Sequence, residues 1–130
     1  MKALLAITAA LEAATGALLL LSPPLMVSIL LGAALDAPAA HVAARIGGAA
    51  LLSLGVACWL LARDDVASRA ARGVVTAMLV YNIAAVAVLA YAGAVLGFAN
   101  FILWSAVVVH AALAVWCGAC LRSGPANAGE

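Results

Sequence analysis

Charge is the scarcest property of this chain. Lys, Arg, Asp and Glu together make up 8% of its 130 residues, whereas 69% of the residues are hydrophobic. An ordinary soluble domain is closer to about half apolar, so this composition excludes that class of protein. The mean hydropathy of +1.27 instead indicates that the hydrocarbon of a lipid bilayer surrounds the fold.

A basic surface is also missing. The formal net charge is only +1, and the six Lys and Arg residues form neither a run nor a helix face interleaved with aromatic residues. Binding to the phosphates of nucleic acid depends on such a surface. We therefore exclude a nucleic-acid partner.

Common signatures of enzymes are absent as well. The sequence has no Gly-rich phosphate loop, no Gly-x-Ser-x-Gly elbow and no paired carboxylates for hydrolysis. A metal site built on the last apolar segment fails on distance, because His110 lies about 10 Å from Cys117 along a helix axis, too far for one ion. We therefore predict no metal site.

Four apolar segments are long enough to cross a bilayer. A hydrocarbon core of ~30 Å requires about 20 helical residues, and the segments that qualify are 3–21, 41–62, 73–92 and 98–121. Pro23 and Pro24 end the first segment, because proline lacks the donor that a helix needs. The charged stretch 63–72 predicts a loop in water. A short turn between Gly93 and Gly97 predicts that the third and fourth helices are antiparallel neighbours.

The first segment also has features of a secretory signal, since Lys2 precedes an apolar region. Glu12 interrupts that region, and residues 18–21 extend it past the length of a signal. We therefore predict an uncleaved membrane helix.

A short helix separates the first two spans. Pro24 is suited to open it and Gly32 to close it, but its eight residues cover only about 12 Å. It either lies in the membrane interface or re-enters the mouth of the bundle. The sequence thus predicts an all-α fold, a four-helix transmembrane bundle with a short interfacial or re-entrant helix between helices 1 and 2. This domain covers residues 1–122, and a flexible tail follows at 123–130.

Basic residues are concentrated on one side of this arrangement. That side carries Lys2, Arg63, Arg69, Arg72 and Arg122, whereas the other side has only Arg45, which is inside a span. Because cytoplasmic loops are enriched in Lys and Arg, we predict that the N and C termini are both cytoplasmic.

Four polar residues interrupt four different spans: Glu12, Arg45, Asn82 and His110. A charge in the bilayer costs about 3 kcal/mol or more unless it is paired or neutralised, so these positions need an explanation. Three of them fall near the midplane, and Arg45 lies about one turn below the outer boundary. They are interpreted either as polar contacts that hold the helices together or as a site for a ligand or a proton.

Small residues indicate which helix faces pack together. Glu12 lies four residues before Gly16, and Arg45 shares a helix face with Gly48 and Gly55, so both charges emerge beside surfaces that allow close approach. We expect the first two spans to pack together and Arg45 to reach towards Glu12 across a vertical gap of about 9 Å.

The segment Trp116-Cys117-Gly118-Ala119-Cys120 contains a Cys-x-x-Cys pair, the spacing of thiol–disulfide exchange, and is similar to the thioredoxin active site. Here the pair ends a membrane helix, where the helix dipole disfavours a thiolate, on the side predicted to be reducing. The arrangement also resembles the vitamin K epoxide reductase family, but the partner cysteines of that family are missing from residues 22–40. Cys117 and Cys120 remain alternative redox candidates that we expect to be free thiols.

Three segments of the first two spans resemble the DoxX-like group of small bacterial four-helix membrane proteins. They are Leu11-Glu12-Ala13-Ala14-Thr15-Gly16, the Ser22-Pro23-Pro24 stop, and residues 44–55, in which Arg45 precedes several glycines. The resemblance implies a multi-pass protein of the bacterial inner membrane. For some members it implies a link to quinone or thiol redox systems.

The expected function is that of an integral inner-membrane protein with a buried polar site formed by Glu12 and Arg45, with Asn82 and His110. The site would bind a small or lipophilic ligand or serve an accessory structural role. A quinone-linked or thiol membrane oxidoreductase, with quinone as cofactor, is one alternative. A small transporter, which would need a homodimer to form a pathway, is another. The expected partners are the lipid bilayer and either a homo-oligomer or a larger membrane complex.

Overall fold

The computed structural model describes residues 1–63, 68–98 and 100–123, and within these ranges all regular structure is helical. The helices are α1 (Lys2–Leu21), α2 (Pro23–Leu31), α3 (Pro38–Arg63), α4 (Arg69–Ala94) and α5 (Phe101–Arg122). All except α2 are long and apolar enough to cross a membrane. The predicted all-α bundle is confirmed, and the chain is a multi-pass membrane protein. The predicted tail, apart from Ser123, lies outside the described residues.

The helix ends follow local sequence signals. α2 begins with Pro23 and ends at Gly32, whose φ of 67° is the left-handed conformation that glycine adopts without strain. α5 begins after Asn100, whose Oδ1 accepts a hydrogen bond from the Ile102 amide at 3.0 Å. It therefore starts three residues later than predicted.

The charged loop was predicted to extend too far. Ser68 caps α4, because its hydroxyl oxygen accepts a hydrogen bond from the Ala71 amide at 3.2 Å. As a result, residues 69–72 form the first turn of α4 and not a loop. The rest of that loop, residues 64–67, lies outside the described part of the chain.

Helices α1 and α3 pack backbone against backbone, as the small residues predicted. A Cβ atom added to Gly48 would lie 2.6 Å from the Leu20 nitrogen, and one added to Gly55 would lie 2.8 Å from the Ala13 nitrogen. A Cβ atom on Gly16 would likewise meet the Leu52 nitrogen at 2.5 Å. Only glycine allows these contacts, so the three positions determine the antiparallel register of α1 and α3.

The bundle consists of two helix pairs, α1 with α3 and α4 with α5. The pairs join through a core at the end that carries both termini of the helical domain; its buried members are Leu4, Leu5, Ala9, Cys58, Val75, Met78, Leu113 and Cys117. At the opposite end α2 packs against α1, α5 and α3. The Asn100 side-chain amide donates a hydrogen bond to the Ile29 carbonyl at 2.7 Å. Helix α2 therefore covers the mouth of the bundle.

Candidate functional site

Two adjoining cavities lie between the helix pairs. The first, which we call the α2 cavity, has a volume of about 300 Å³ and is covered by Met26, Val27, Leu30 and Leu31 of α2. The second, the Glu12 cavity, has a volume of about 250 Å³ and contains Glu12 in its wall. Both cavities are lined by Thr15, Tyr81, Ala106 and His110. The two cavities are therefore neighbours, and together we call them the compartment: its α2 end is mainly apolar, and its other end carries Glu12.

Glu12 is the acidic group of this compartment and is only 3% exposed. Tyr81, on α4, lines the same cavity as Glu12 and carries a phenol hydroxyl group. Thr15 follows Glu12 by three residues and therefore lies on the same face of α1. The edge of the Tyr81 ring meets the His110 ring, with centroids 5.6 Å apart and planes at 81°. Glu12, Tyr81 and His110 thus form one continuous polar cluster.

Asn82 lies behind the cavity wall and forms a hydrogen bond with His110. It is fully buried, and its Nδ2 donates a hydrogen bond to the Met78 carbonyl at 2.7 Å. Its Oδ1 lies 2.8 Å from His110 Nδ1. Because the Met78 carbonyl can only accept, the Asn82 amide nitrogen must face it and Oδ1 must face the imidazole. Nδ1 of His110 therefore carries a proton and donates a hydrogen bond to Asn82 Oδ1.

The structure brings together three of the four predicted polar residues, Glu12, Asn82 and His110. Arg45 is not among them, because it is exposed on α3. Since Gly48 packs against Leu20, the antiparallel register places Arg45, three residues before Gly48, at a level three residues beyond Leu20 and past the end of α1. Glu12 lies eleven residues deeper, a separation of about 16 Å along the helix axis. The prediction that Arg45 reaches Glu12 is therefore wrong.

Two residues of the site, Tyr81 and Thr15, were not among the predicted site residues. Both lie at the depth of Glu12 and His110, so their depth in the membrane could have identified them as site residues. A third hydroxyl, that of Ser105, lines the Glu12 cavity but already donates to the Phe101 carbonyl at 3.0 Å. The Thr8 hydroxyl is buried one turn from Glu12 and has no partner among the described residues.

The cysteines belong to the other half of the bundle. Cys58, Cys117 and Cys120 are all free thiols. Cys58 and Cys117 are buried in the core that joins the helix pairs, and Cys120 packs at its edge. Cys58 was missed as a neighbour of Cys117 because the two are far apart in sequence. Among the residues that the structure describes, no group of three His, Cys, Asp or Glu side chains could hold a metal ion.

Comparison with models of known protein families, with curated proteins and with solved structures finds no match to this chain. The geometry of the site is therefore the basis for assigning a function.

Proposed function

We propose that this membrane protein binds a lipophilic molecule with a polar headgroup inside the bundle. The observation that carries the proposal is that the apolar α2 cavity adjoins the Glu12 cavity, with Thr15, Tyr81, Ala106 and His110 lining both. Binding sites for small molecules combine apolar walls with a few placed polar groups in volumes of about 300 to 1,000 Å³. The tail of the ligand would occupy the α2 cavity, and its headgroup would face Glu12, Tyr81 and His110.

The route of entry supports a ligand that is dissolved in the membrane. Helices α1 and α5 make few direct contacts, and the Glu12 cavity lies between them. Its lining residues Leu11, Ile102 and Val109 are each more than 40% exposed. Lipid hydrocarbon can therefore reach the cavity directly through the gap between α1 and α5.

The proposal includes kinship with the DoxX-like group and a place in the bacterial inner membrane with cytoplasmic termini. Two observations support it. Gly16 and Gly48, which belong to the segments that carry the resemblance, are needed for the close packing of α1 and α3. Exposed basic residues, among them Lys2, Arg63 and Arg122, gather at the end of the bundle that carries the termini.

A quinone-linked oxidoreductase is the second candidate. It is favoured by one observation, that three side chains able to exchange protons, those of Glu12, Tyr81 and His110, line a cavity that lipid can reach. A quinone needs protons as well as electrons when it is reduced, and these groups could supply them.

Mass spectrometry of the lipophiles that remain bound after extraction in mild detergent tests the proposal. Ala106 lines both cavities, so Ala106→Phe should fill the compartment and displace the ligand. Ala112→Phe on the same helix is the matched control, because Ala112 is exposed. We expect a stoichiometric lipophile with the wild type and the control, and its loss with Ala106→Phe. Equal retention by both variants, or no bound lipophile in the wild type, would contradict the proposal.

A further inference from the structure

We infer that the headgroup of the bound lipophile donates a hydrogen bond to His110, and therefore carries a hydroxyl group, as an alcohol, a phenol or a quinol does. This inference rests on the proposed function and deepens it, because it assigns the chemical class of the ligand.

The decisive group is His110 Nε2. The hydrogen bond to Asn82 Oδ1 requires the proton of the ring to lie on Nδ1. In the neutral imidazole the other nitrogen then has no proton and presents a lone pair. Because His110 lines both cavities, this lone pair is the acceptor available to a ligand.

The other polar groups of the compartment do not determine the polarity of the headgroup. A hydroxyl group such as that of Tyr81 or Thr15 can rotate to donate or to accept. A protonated Glu12 can likewise donate or accept, and its ionised form can only accept. The Ser105 hydroxyl is already bonded to Phe101. Among these groups, His110 has its polarity fixed by a contact with the chain, so it selects a donor and disfavours a headgroup with carbonyl or ether oxygens alone.

His41 provides an internal reference. Its Nε2 lies 2.7 Å from the Leu35 carbonyl, which can only accept, so in this ring the proton lies on Nε2. The two histidines of the chain therefore have opposite tautomers. Nitrogen-15 NMR at pH 8, above the ordinary histidine pKa of about 6.5, should show a bare Nε2 for His110 and a bare Nδ1 for His41.

Paired probes test the inference at the same pH in detergent. 4-Dodecylphenol and 4-dodecylanisole differ only by methylation of the oxygen, which removes the donor. A decyl quinol and its quinone exchange a donor for an acceptor with almost no change in size. Farnesol and its methyl ether represent isoprenoid alcohols. In the pair that matches the natural headgroup, one extra hydrogen bond should make the hydroxyl probe bind about tenfold more tightly than its partner. The pair that shows this difference identifies the chemical class of the headgroup.

Two variants complete the experiment. His110→Leu should abolish the discrimination within the pair, whereas His41→Leu should retain it, because His41 lines neither cavity. If His110→Leu does not fold, the wild type still decides, since only a donor should shift the His110 Nε2 resonance while His41 stays unchanged. Equal affinity in every pair would overturn the inference and leave the proposed function standing. No binding of any probe would overturn both.

Discussion

At the scale of single residues, Glu12 and Arg45 have opposite surroundings. Glu12 is buried beside the Tyr81 hydroxyl, a neutral partner that can bond a carboxyl group in either protonation state. Arg45 is exposed near the N-terminal end of α3, where its long side chain can extend towards the membrane boundary. Each residue therefore has its own environment, and neither depends on the other for a partner.

We predict that Glu12→Gln and Arg45→Ala have additive effects on the free energy of unfolding. The two sites are separated by about 16 Å along the helix axis, and effects at such distances usually add to within about 0.5 kcal/mol. Equilibrium unfolding of the single and double variants in detergent measures the coupling.

A second cycle provides the positive control. Asn82 and His110 share a hydrogen bond of 2.8 Å, so Asn82→Leu and His110→Leu should be non-additive, with a coupling of about 0.5 kcal/mol or more. A coupling of that size between Glu12 and Arg45 would show that the two charges interact after all.

At the scale of helices, the contact between α1 and α3 depends on which glycines lie in it. Gly47 and Gly48 are adjacent, yet a Cβ atom on Gly48 would lie 2.6 Å from the backbone of α1. On Gly47 the nearest heavy atom would be a Leu19 methyl carbon at 3.8 Å. The backbone of α1 fills the space beside Gly48, whereas Gly47 has room for a methyl group.

We predict that Gly48→Ala destabilises the protein by about 1 to 3 kcal/mol, because the two helices must move apart. Gly47→Ala should be neutral or stabilising by up to about 1 kcal/mol, since alanine is the better helix former. Unfolding in mild detergent compares the two variants. Equal effects would mean that α1 and α3 do not pack in this register.

At the scale of the whole molecule, one end of the bundle differs from the other in charge and packing. The end that carries both termini has a closed core, and its boundary includes Arg63, whose guanidinium carbon lies 4.4 Å from the centroid of the Trp59 ring. Arg72 donates from that boundary to the Leu121 carbonyl at 3.1 Å. The opposite end contains the α2 cavity. Basic and aromatic residues of this kind mark a membrane boundary.

We predict that this end faces the cytoplasm. A green fluorescent protein fused after Glu130 should fluoresce, and an alkaline phosphatase at the same position should be inactive, because each reporter works on only one side of the membrane. Fusions before Met1 should give the same result, because four spans return the chain to its starting side. Export of both ends would contradict the orientation, and export of only one would contradict the four spans.

Much of the architecture could be predicted because its signals are local. The length of each apolar segment, the prolines after α1 and the glycine after α2 act within a few residues of where they occur. The errors were local too. Ser68 and Asn100 cap α4 and α5 at positions that the hydropathy pattern did not indicate.

The site could be predicted only in part. Depth along each span identified Glu12, Asn82 and His110 as residues of one level, and this required no knowledge of contacts. The assignment of Arg45 to the same site was wrong. The distance of Arg45 from Glu12 depends on how far α3 is shifted along α1. That shift is set by the glycine contacts between the two helices, which no single helix reveals.

The sequence by itself determined that a lipid bilayer surrounds this protein, how many spans it has and how deep its polar residues lie. It could do so because hydropathy, proline and glycine act within one segment. Only the tertiary structure decided that Tyr81 is the neighbour of Glu12, that Asn82 fixes the tautomer of His110, and that α2 covers a cavity. These features depend on the register and separation of helices that are distant in sequence. The contacts that set them exist only in the packed bundle.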